Sequence, residues 1–309
     1  MRDLSVIIPA RNEIFLRQTI ENVLENSEAD AEIIAICDGY WPDPPILDNP
    51  KVVIVHHTVP IGQRAATNEG ARISEAKYVM KLDAHCSVDK GFDRKLIEVC
   101  QHDWTLVPLM YNLHAFDWEC PECGKRIGQG AKPKICAGCN KPTDQQMKLV
   151  WQPKWDKVTY SWRFDRDMHF QYWKSHRNRP ETRKGDFVET MSFIGACWFM
   201  ERDRYWELEG CDEKHGSWGQ LGTEWACKTW LSGGKLLTYK KTWFAHMFRT
   251  GNFNGAFETG TFPYEMAWQD QENARIYSRD LWLNDKWPKA VRPLKWITDH
   301  FQPPGWEDY

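Results

Sequence analysis

Four short apolar runs, at residues 4–9, 32–37, 52–56 and 78–82, are separated by stretches that read as helix or turn. After the first run, Leu16, Ile20, Val23 and Leu24 recur at the interval that puts them on one helical face, within a helix expected over 14–26. Before the fourth run, residues 63–74 read as a second helix. Strands alternating with helices predict parallel βαβ units and an α/β fold, because parallel neighbours need a crossover between them. Sheets of this kind bind ligands beyond the C-terminal ends of their strands. Asn12, Asp38 and Asp83 each stand just past the end of one run. The pattern alone marks one edge of the sheet as the place for chemistry.

The fourth run ends in Asp83, Ala84 and His85. Two residues apart, the carboxylate and the imidazole point the same way on an extended chain. That pair suits a divalent cation that also holds a phosphate. A polar strand end before a turn would read the same, so the assignment needs support from elsewhere. Two further runs supply it: LSVIIPARNE at 4–13 and FAHMFR at 244–249.

Taken in order with MSFIGACWFM at 191–200, WGQLGTE at 218–224, ENAR at 272–275, and Leu281 with Trp282, these motifs resemble the family 2 nucleotide-sugar glycosyltransferases. Within that group they are most similar to the catalytic domain of the polypeptide N-acetylgalactosaminyltransferases. The resemblance covers 4–110 and 187–285. It implies a GT-A, Rossmann-like nucleotide-sugar transferase fold and a UDP-sugar as donor. It also implies that Asp83, His85 and His246 bind Mn2+ or Mg2+, with positions left open for phosphate oxygens. Pro9, Arg11, Asn12 and Glu13 fall where the family contacts the nucleotide, and Asp38 where an acid accepts from uracil or ribose. Asp38 and Gly39 are also an ordinary turn pair. Arg249 falls on the pyrophosphate, and Tyr264 on a segment that closes over the donor. The run GQRAATNEGA at 62–71 resembles the nucleotide-side helix. Asn68 matches there, Thr67 stands where the family has arginine, and Arg64 one turn earlier is the candidate replacement. Trp218 and Glu224 match a Trp-Gly-Gly-Glu segment that is two residues longer here. Glu224 is then the catalytic candidate beside Asp83, as general base or as a hold on the donor sugar. Inversion and retention both stay open.

Four of the ten cysteines form CPEC at 120–123 and CAGC at 136–139, separated by 12 residues. Two such knuckles predict a closed tetrahedral Zn2+ site at Cys120, Cys123, Cys136 and Cys139, with disulfides or free thiols as the alternatives. A closed site is structural, and folds a short insertion that lacks a core of its own. The chain then divides into three parts. Residues 1–112 are the nucleotide-sugar-binding half, 113–185 a zinc-ribbon and basic, aromatic insertion, and 186–309 the acceptor and catalytic half with a tail. In the last part 187–200 read as a strand, 203–208 as a helix and 249–263 as a loop rich in glycine and asparagine. Prolines at 288, 293, 303 and 304 suggest a tail wrapped over the surface.

The net charge of −3 hides an asymmetry. Residues 120–184 hold 15 Lys and Arg against 6 Asp and Glu, a balance of +9 that leaves −12 on the rest. Such a segment faces something anionic. Trp151, Trp155, Trp162, Tyr172 and Trp173 interleave with these cations, the mixture that stacks bases and neutralises phosphates. The leading reading is a transferase whose acceptor is 5-hydroxymethylpyrimidine in phage DNA. A protein Ser/Thr or a glycan acceptor is the second reading, and a non-catalytic zinc-ribbon nucleic-acid-binding protein the third. No run reaches the roughly 18 apolar residues of a membrane span, and no signal-peptide pattern opens the chain. The anchor and lectin domain of animal relatives find no match. Cys37, Cys197 and Cys227 lie in apolar segments and read as buried thiols. The expectation is a cytoplasmic enzyme in a reducing compartment, without a membrane partner.

Overall fold

The computed structural model describes residues 1–130, 132–248 and 268–309. The predicted alternation is present as β1 (Leu4–Ala10), α1 (Leu16–Asn26), β2 (Ala31–Asp38), β3 (Val52–His57), α2 (Gln63–Ile73) and β4 (Tyr78–Leu82). β1, β2 and β4 are buried along nearly their whole length, as strands covered on both faces must be. Leu16, Ile20 and Val23 of α1 are buried against them. Each such side chain contributes about 1.5–3 kcal/mol by leaving water.

β5 (Cys86–Val88) and α3 (Phe92–Ile97) lead into the long β6 (Trp104–Glu119), on which β7 (Arg126–Gly128) and β8 (Gln146–Thr159) fold back antiparallel. A hairpin of β9 (Trp162–Phe164) and β10 (Phe170–Tyr172) follows, then two single turns, α4 (Lys174–Arg177) and α5 (Pro180–Arg183). The core resumes with β11 (Phe187–Glu189), β12 (Cys197–Glu201), α6 (Arg202–Glu207), a 3-10 turn at Glu213–His215, α7 (Leu221–Leu231) and β13 (Lys235–His246). α8 (Trp268–Leu283) and α9 (Leu294–Phe301) complete the described chain.

The main sheet runs β11-β13-β6-β12-β4-β1-β2-β3. β4, β1, β2 and β3 are mutually parallel, and β12 is antiparallel to β4. The ends of β2, β1 and β4 and the start of β12 therefore lie along one edge. Among the described residues no helix is long and apolar enough to cross a membrane.

Three expectations change. Residues 187–200 are two strands rather than one, β11 on β13 and β12 on β4. The chain crosses between them through Gly195 at φ +82°. A Cβ on Gly195 would lie 2.7 Å from the Gly222 nitrogen, and one on Gly222 would lie 1.8 Å from the Phe193 carbonyl oxygen. Only glycine at both lets this crossing lie against the start of α7. The tail does not simply wrap the surface, because α9 buries Leu294, Ile297 and Phe301, and Trp287 and Trp306 are buried beside it. Lastly, Trp162 and Trp173 are not available for stacking. They join the main core with Phe164 and Met168. Trp151 is half-buried against Phe15 at 5.6 Å, which leaves Trp155 and Tyr172 exposed.

β6 runs unbroken through residue 112, and Glu119 pairs with Gln146 at the far end of the β6–β8 ladder. The four cysteines project from that end. Cys120 Sγ lies 3.9 Å from Cys139 Sγ, and Cys123 Sγ 3.6 Å from Cys136 Sγ. Disulfide sulfurs would be about 2.05 Å apart, whereas Zn–S bonds of about 2.3 Å set tetrahedral sulfurs about 3.8 Å apart. The spacing fits zinc. Both knuckles close alike, with the Gly124 N–H donating to the Cys120 carbonyl and the Asn140 N–H to that of Cys136, each at 2.9 Å. Protein purified without chelator is expected to carry one zinc per chain by elemental analysis. Cys123→Ser should lose that zinc and open the ribbon to protease, with the main melting transition retained.

Candidate active site

Asp83 follows β4, His85 lies in the next turn, and His246 ends β13. β5 pairs with β13 in the register that sets His246 opposite Cys86. The Met247 N–H also donates to the His85 carbonyl at 3.1 Å. This pairing brings His246 Nε2 to 3.0 Å from His85 Nε2 and 3.2 Å from Asp83 Oδ2. Three electron-pair donors face one another at these distances, and a proton or cation among them relieves their repulsion. All three ligand atoms lie within 4.8 Å of one another.

The surroundings prepare the cluster for a metal. Glu13 Oε2 sits 2.8 Å from His85 Nδ1, while its Oε1 accepts from the Phe15 N–H at 3.0 Å. A carboxylate there keeps Nδ1 protonated and leaves the Nε2 lone pair for a cation. Glu13, expected on the nucleotide, thus stands behind a metal-ligand candidate. Nothing in the sequence marks Lys81, yet its fully buried ammonium bonds Asp83 Oδ1 and, at 2.9 Å, the Gly195 carbonyl. Burial alone would raise the Asp83 carboxyl. Lys81, then His246 and His85, more than offset it and hold the acid well below the usual range. Burial lowers His85 and His246 to about 4, against the raising pull of Asp83. Both imidazoles are therefore neutral near pH 7 and able to ligate.

A cavity of about 890 Å³ opens over the cluster. Pro9, Arg11, Glu13, Asp38, Asp83, His85, Trp218 and His246 all line it. The Asp38 carboxylate accepts from the Ile61 and Gly62 N–H groups at 2.6 and 3.0 Å, which fixes its direction. Asn12, at φ +48°, turns the chain between Arg11 and Glu13 and does not line the wall. Gln63, Ser217 and Asp270 line the cavity without any prior sequence signal. Gln63 Nε2 donates to Asp83 Oδ1 at 3.3 Å, and the Ser217 hydroxyl donates to Asp270.

Besides Asn12, three expected residues do not reach the cavity. Glu224 is fully buried, accepting at Oε2 from Arg64 Nε at 2.7 Å and at Oε1 from the Asp212 N–H at 2.6 Å, with Lys228 Nζ 3.0 Å away. The physical reason is helical rotation: α7 starts at Leu221, turns Leu221, Gly222 and Thr223 to the cavity, and sends Glu224 into the core. Arg64 is spent on Glu224 and on the Gly219 carbonyl at 2.6 Å. Asn68 is held by Tyr205 and by the Cys211 backbone, with Nδ2 donating to the Cys211 carbonyl at 2.9 Å. These groups tie α2 to the loop before α7. Arg249 and Tyr264 lie outside the described residues.

Residues 5–112 match the glycosyl transferase family 2 profile. The chain carries a glycosyltransferase family 2 domain. Proteins described as N-acetylgalactosaminyltransferases from Drosophila melanogaster and Caenorhabditis elegans are each 22% identical to it, over 274 and 275 residues. Those alignments cover 80% and 81% of this chain and 42% of each relative. The human polypeptide N-acetylgalactosaminyltransferase 13 is 21% identical over 252 residues, covering 81% of this chain and 36% of that protein. This chain thus spans less than half the length of these relatives. The crystal structure of GalNAc-T7 with UDP, GalNAc and Mn2+ matches with a TM-score of 0.63 at 15% identity, over 97% of this chain and 56% of that one. The fold is GT-A. The family 2 match ends inside β6, so His246 and Trp218 enter the site from outside it.

Two variants test this arrangement. Glu224→Gln should cost about 3–5 kcal/mol in urea unfolding, because it leaves Arg64 and Lys228 buried without their anion. Burial pulls the Glu224 carboxyl up, and Lys228, Arg64 and His215 outweigh that pull, lowering it from 4.5 to about 2. A depressed folded-state value contributes stability that is full above pH 4.5 and lost as the pH falls toward 2. The deficit of the variant should shrink across that window. Lys81→Met should bind Mn2+ more tightly than wild type in titration calorimetry, since a fixed positive charge beside Asp83 is gone.

Proposed function

We propose that this chain is a metal-dependent transferase that moves a sugar from a UDP-sugar to an acceptor hydroxyl. The observation that carries this reading is the convergence of Asp83, His85 and His246 on the floor of a cavity whose wall holds Asp38. Neutral imidazoles and an ionised carboxylate are a fitting donor set for Mn2+. When bound there, the cation supplies neutral balance to the departing pyrophosphate.

The chain's own residues do the remaining work. Glu13 orients the His85 ring and Lys81 holds one Asp83 oxygen, so the other faces the imidazoles. Asp38, aimed by two backbone N–H groups, accepts from the nucleoside. Arg11 is exposed on the same wall and meets donor phosphate or base. Trp218 lines the cavity next to Ser217, whose carbonyl accepts from the Gln63 N–H at 2.9 Å. With Glu224 inside the core, deprotonation of the acceptor is not assigned to it.

For the acceptor we read a polyanion, with 5-hydroxymethylpyrimidine in DNA as the group that bears the hydroxyl. Support comes from the +9 balance over 120–184 and from Trp155, 61% exposed on β8 among lysines. Part of that charge is matched internally, as Arg126 pairs with Glu119 and Lys132 with Asp144. A protein Ser/Thr acceptor is the second reading, favoured by the polypeptide transferases among the relatives. Non-catalytic nucleic-acid binding is disfavoured by the intact cluster and the cavity above it.

Incubation with UDP-sugars and a panel of modified-DNA and peptide acceptors, read by mass spectrometry, tests the reading. Transfer should require Mn2+ or a similar ion, and His246→Ala should lose most of it, a barrier increase of several kcal/mol. Full activity in EDTA would overturn the metal assignment. Acceptor binding should weaken steeply with salt, and Lys134→Glu, at an exposed position, should raise the KM for DNA while UDP affinity stays unchanged.

A further inference from the structure

We infer that the β9–β10 hairpin forms the acceptor subsite, and that its aromatic wall takes an unpaired nucleobase by stacking. The inference rests on the transferase reading above and adds the acceptor's place and chemical class. The sheet order sets out the cavity from one side to the other. Asp38 ends β2, Pro9 and Arg11 lie at and after the end of β1, and Asp83 follows β4. Residues 193–195 come next, because β12 starts opposite the end of β4, with Cys197 against Leu82. The hairpin stands beyond them, since Trp162 bridges to Ser192 and the Ser192 N–H donates to the Trp162 carbonyl at 3.2 Å. The metal-ligand cluster is therefore in the middle. A nucleoside on Asp38, with its pyrophosphate at the cluster, leaves the sugar and whatever receives it on the hairpin side.

The hairpin is built to hold its shape. Trp162, Phe164, Met168 and Trp173 anchor it in the core, and Trp306 Nε1 donates to the Phe164 carbonyl at 3.2 Å. Its other side puts His169, Phe170 and Tyr172 on the cavity wall. Tyr172 is 50% exposed, and its ring meets that of Phe170 at 5.5 Å and 74°. The apolar residues Phe193 and Ile194, next to the hairpin, also line the cavity and extend this aromatic wall. Aromatic faces of this kind take flat rings by stacking, with little regard to sequence. A peptide that bound by strand addition would find too little ladder in β10, which is three residues long. Arg166 in the hairpin turn and Lys174 just after β10 are both exposed, placed to meet the phosphates on either side of a stacked base. A base in a duplex would have to be flipped out to arrive there.

The test is direct binding, with protein saturated in UDP and Mn2+ and a fluorescent single-stranded oligonucleotide bearing one 5-hydroxymethylcytosine. Tyr172→Ala should weaken binding by about tenfold or more, while Tyr172→Phe, which keeps the ring, stays within about twofold of wild type. UDP affinity and melting temperature should not change in either variant. Equal oligonucleotide binding by wild type and Tyr172→Ala would overturn the inference. So would a Ser/Thr peptide or an oligosaccharide that binds in a Tyr172-dependent way while the oligonucleotide does not. Failure of the wild-type protein to bind UDP with Mn2+ would instead overturn the transferase reading beneath it.

Discussion

The pairing of the end of β13 with β5 makes one site out of segments far apart in the chain. Without the register that sets His246 opposite Cys86, the Asp83 and His85 pair would be a polar strand end with a turn after it. Backbone hydrogen bonds, rather than the affinity of the side chains for one another, hold the two imidazoles at 3.0 Å. A cluster positioned by a sheet keeps its geometry whether or not a cation is bound, which is the preorganisation that catalysis through electrostatics needs. The cavity then follows from topology, because the ends of β2, β1 and β4 and the start of β12 share one edge.

Two buried charge clusters brace this edge from behind. Lys81 joins Asp83 to Gly195, and so joins the metal-ligand cluster to the crossing that Gly195 and Gly222 pack so closely. Glu224 joins α7 to α2 through Arg64, and Arg64 reaches on to the Gly219 carbonyl in the cavity loop. Buried ion pairs of this sort add little net stability compared with apolar packing, but they punish any rearrangement that separates the partners. Their effect is to make the walls of the cavity specific in shape.

The four-cysteine segment and the hairpin divide the middle of the chain between them. The four-cysteine segment hangs from the far end of β6 and β8, and zinc held by its sulfurs would supply the core it lacks. The hairpin belongs to the main core and shows its remaining aromatic rings to the cavity. A segment that reads as one basic, tryptophan-rich block in sequence therefore has two mechanical roles.

The strands and first helices were legible in the sequence because apolar spacing reports local geometry directly. Asp38 and Asp83 could be placed for the same reason, as residues just past predicted strand ends, whereas Asn12, marked by the same pattern, does not line the cavity. The four cysteines were legible because a knuckle is a local turn with fixed ligand spacing. His246 was legible only through the resemblance of its motif, since nothing local says which distant strand it will meet. The facing of Glu224, the use of Arg64 and Asn68, and the role of Lys81 were decided by tertiary structure alone. Each depends on where a helix starts or on which carbonyl lies across a packed interface, and one residue of helical rotation, about 100°, turns a cavity acid into a core one. Exposure of the tryptophans was decided there too, because a ring's sequence neighbours do not determine which of its faces the fold leaves open.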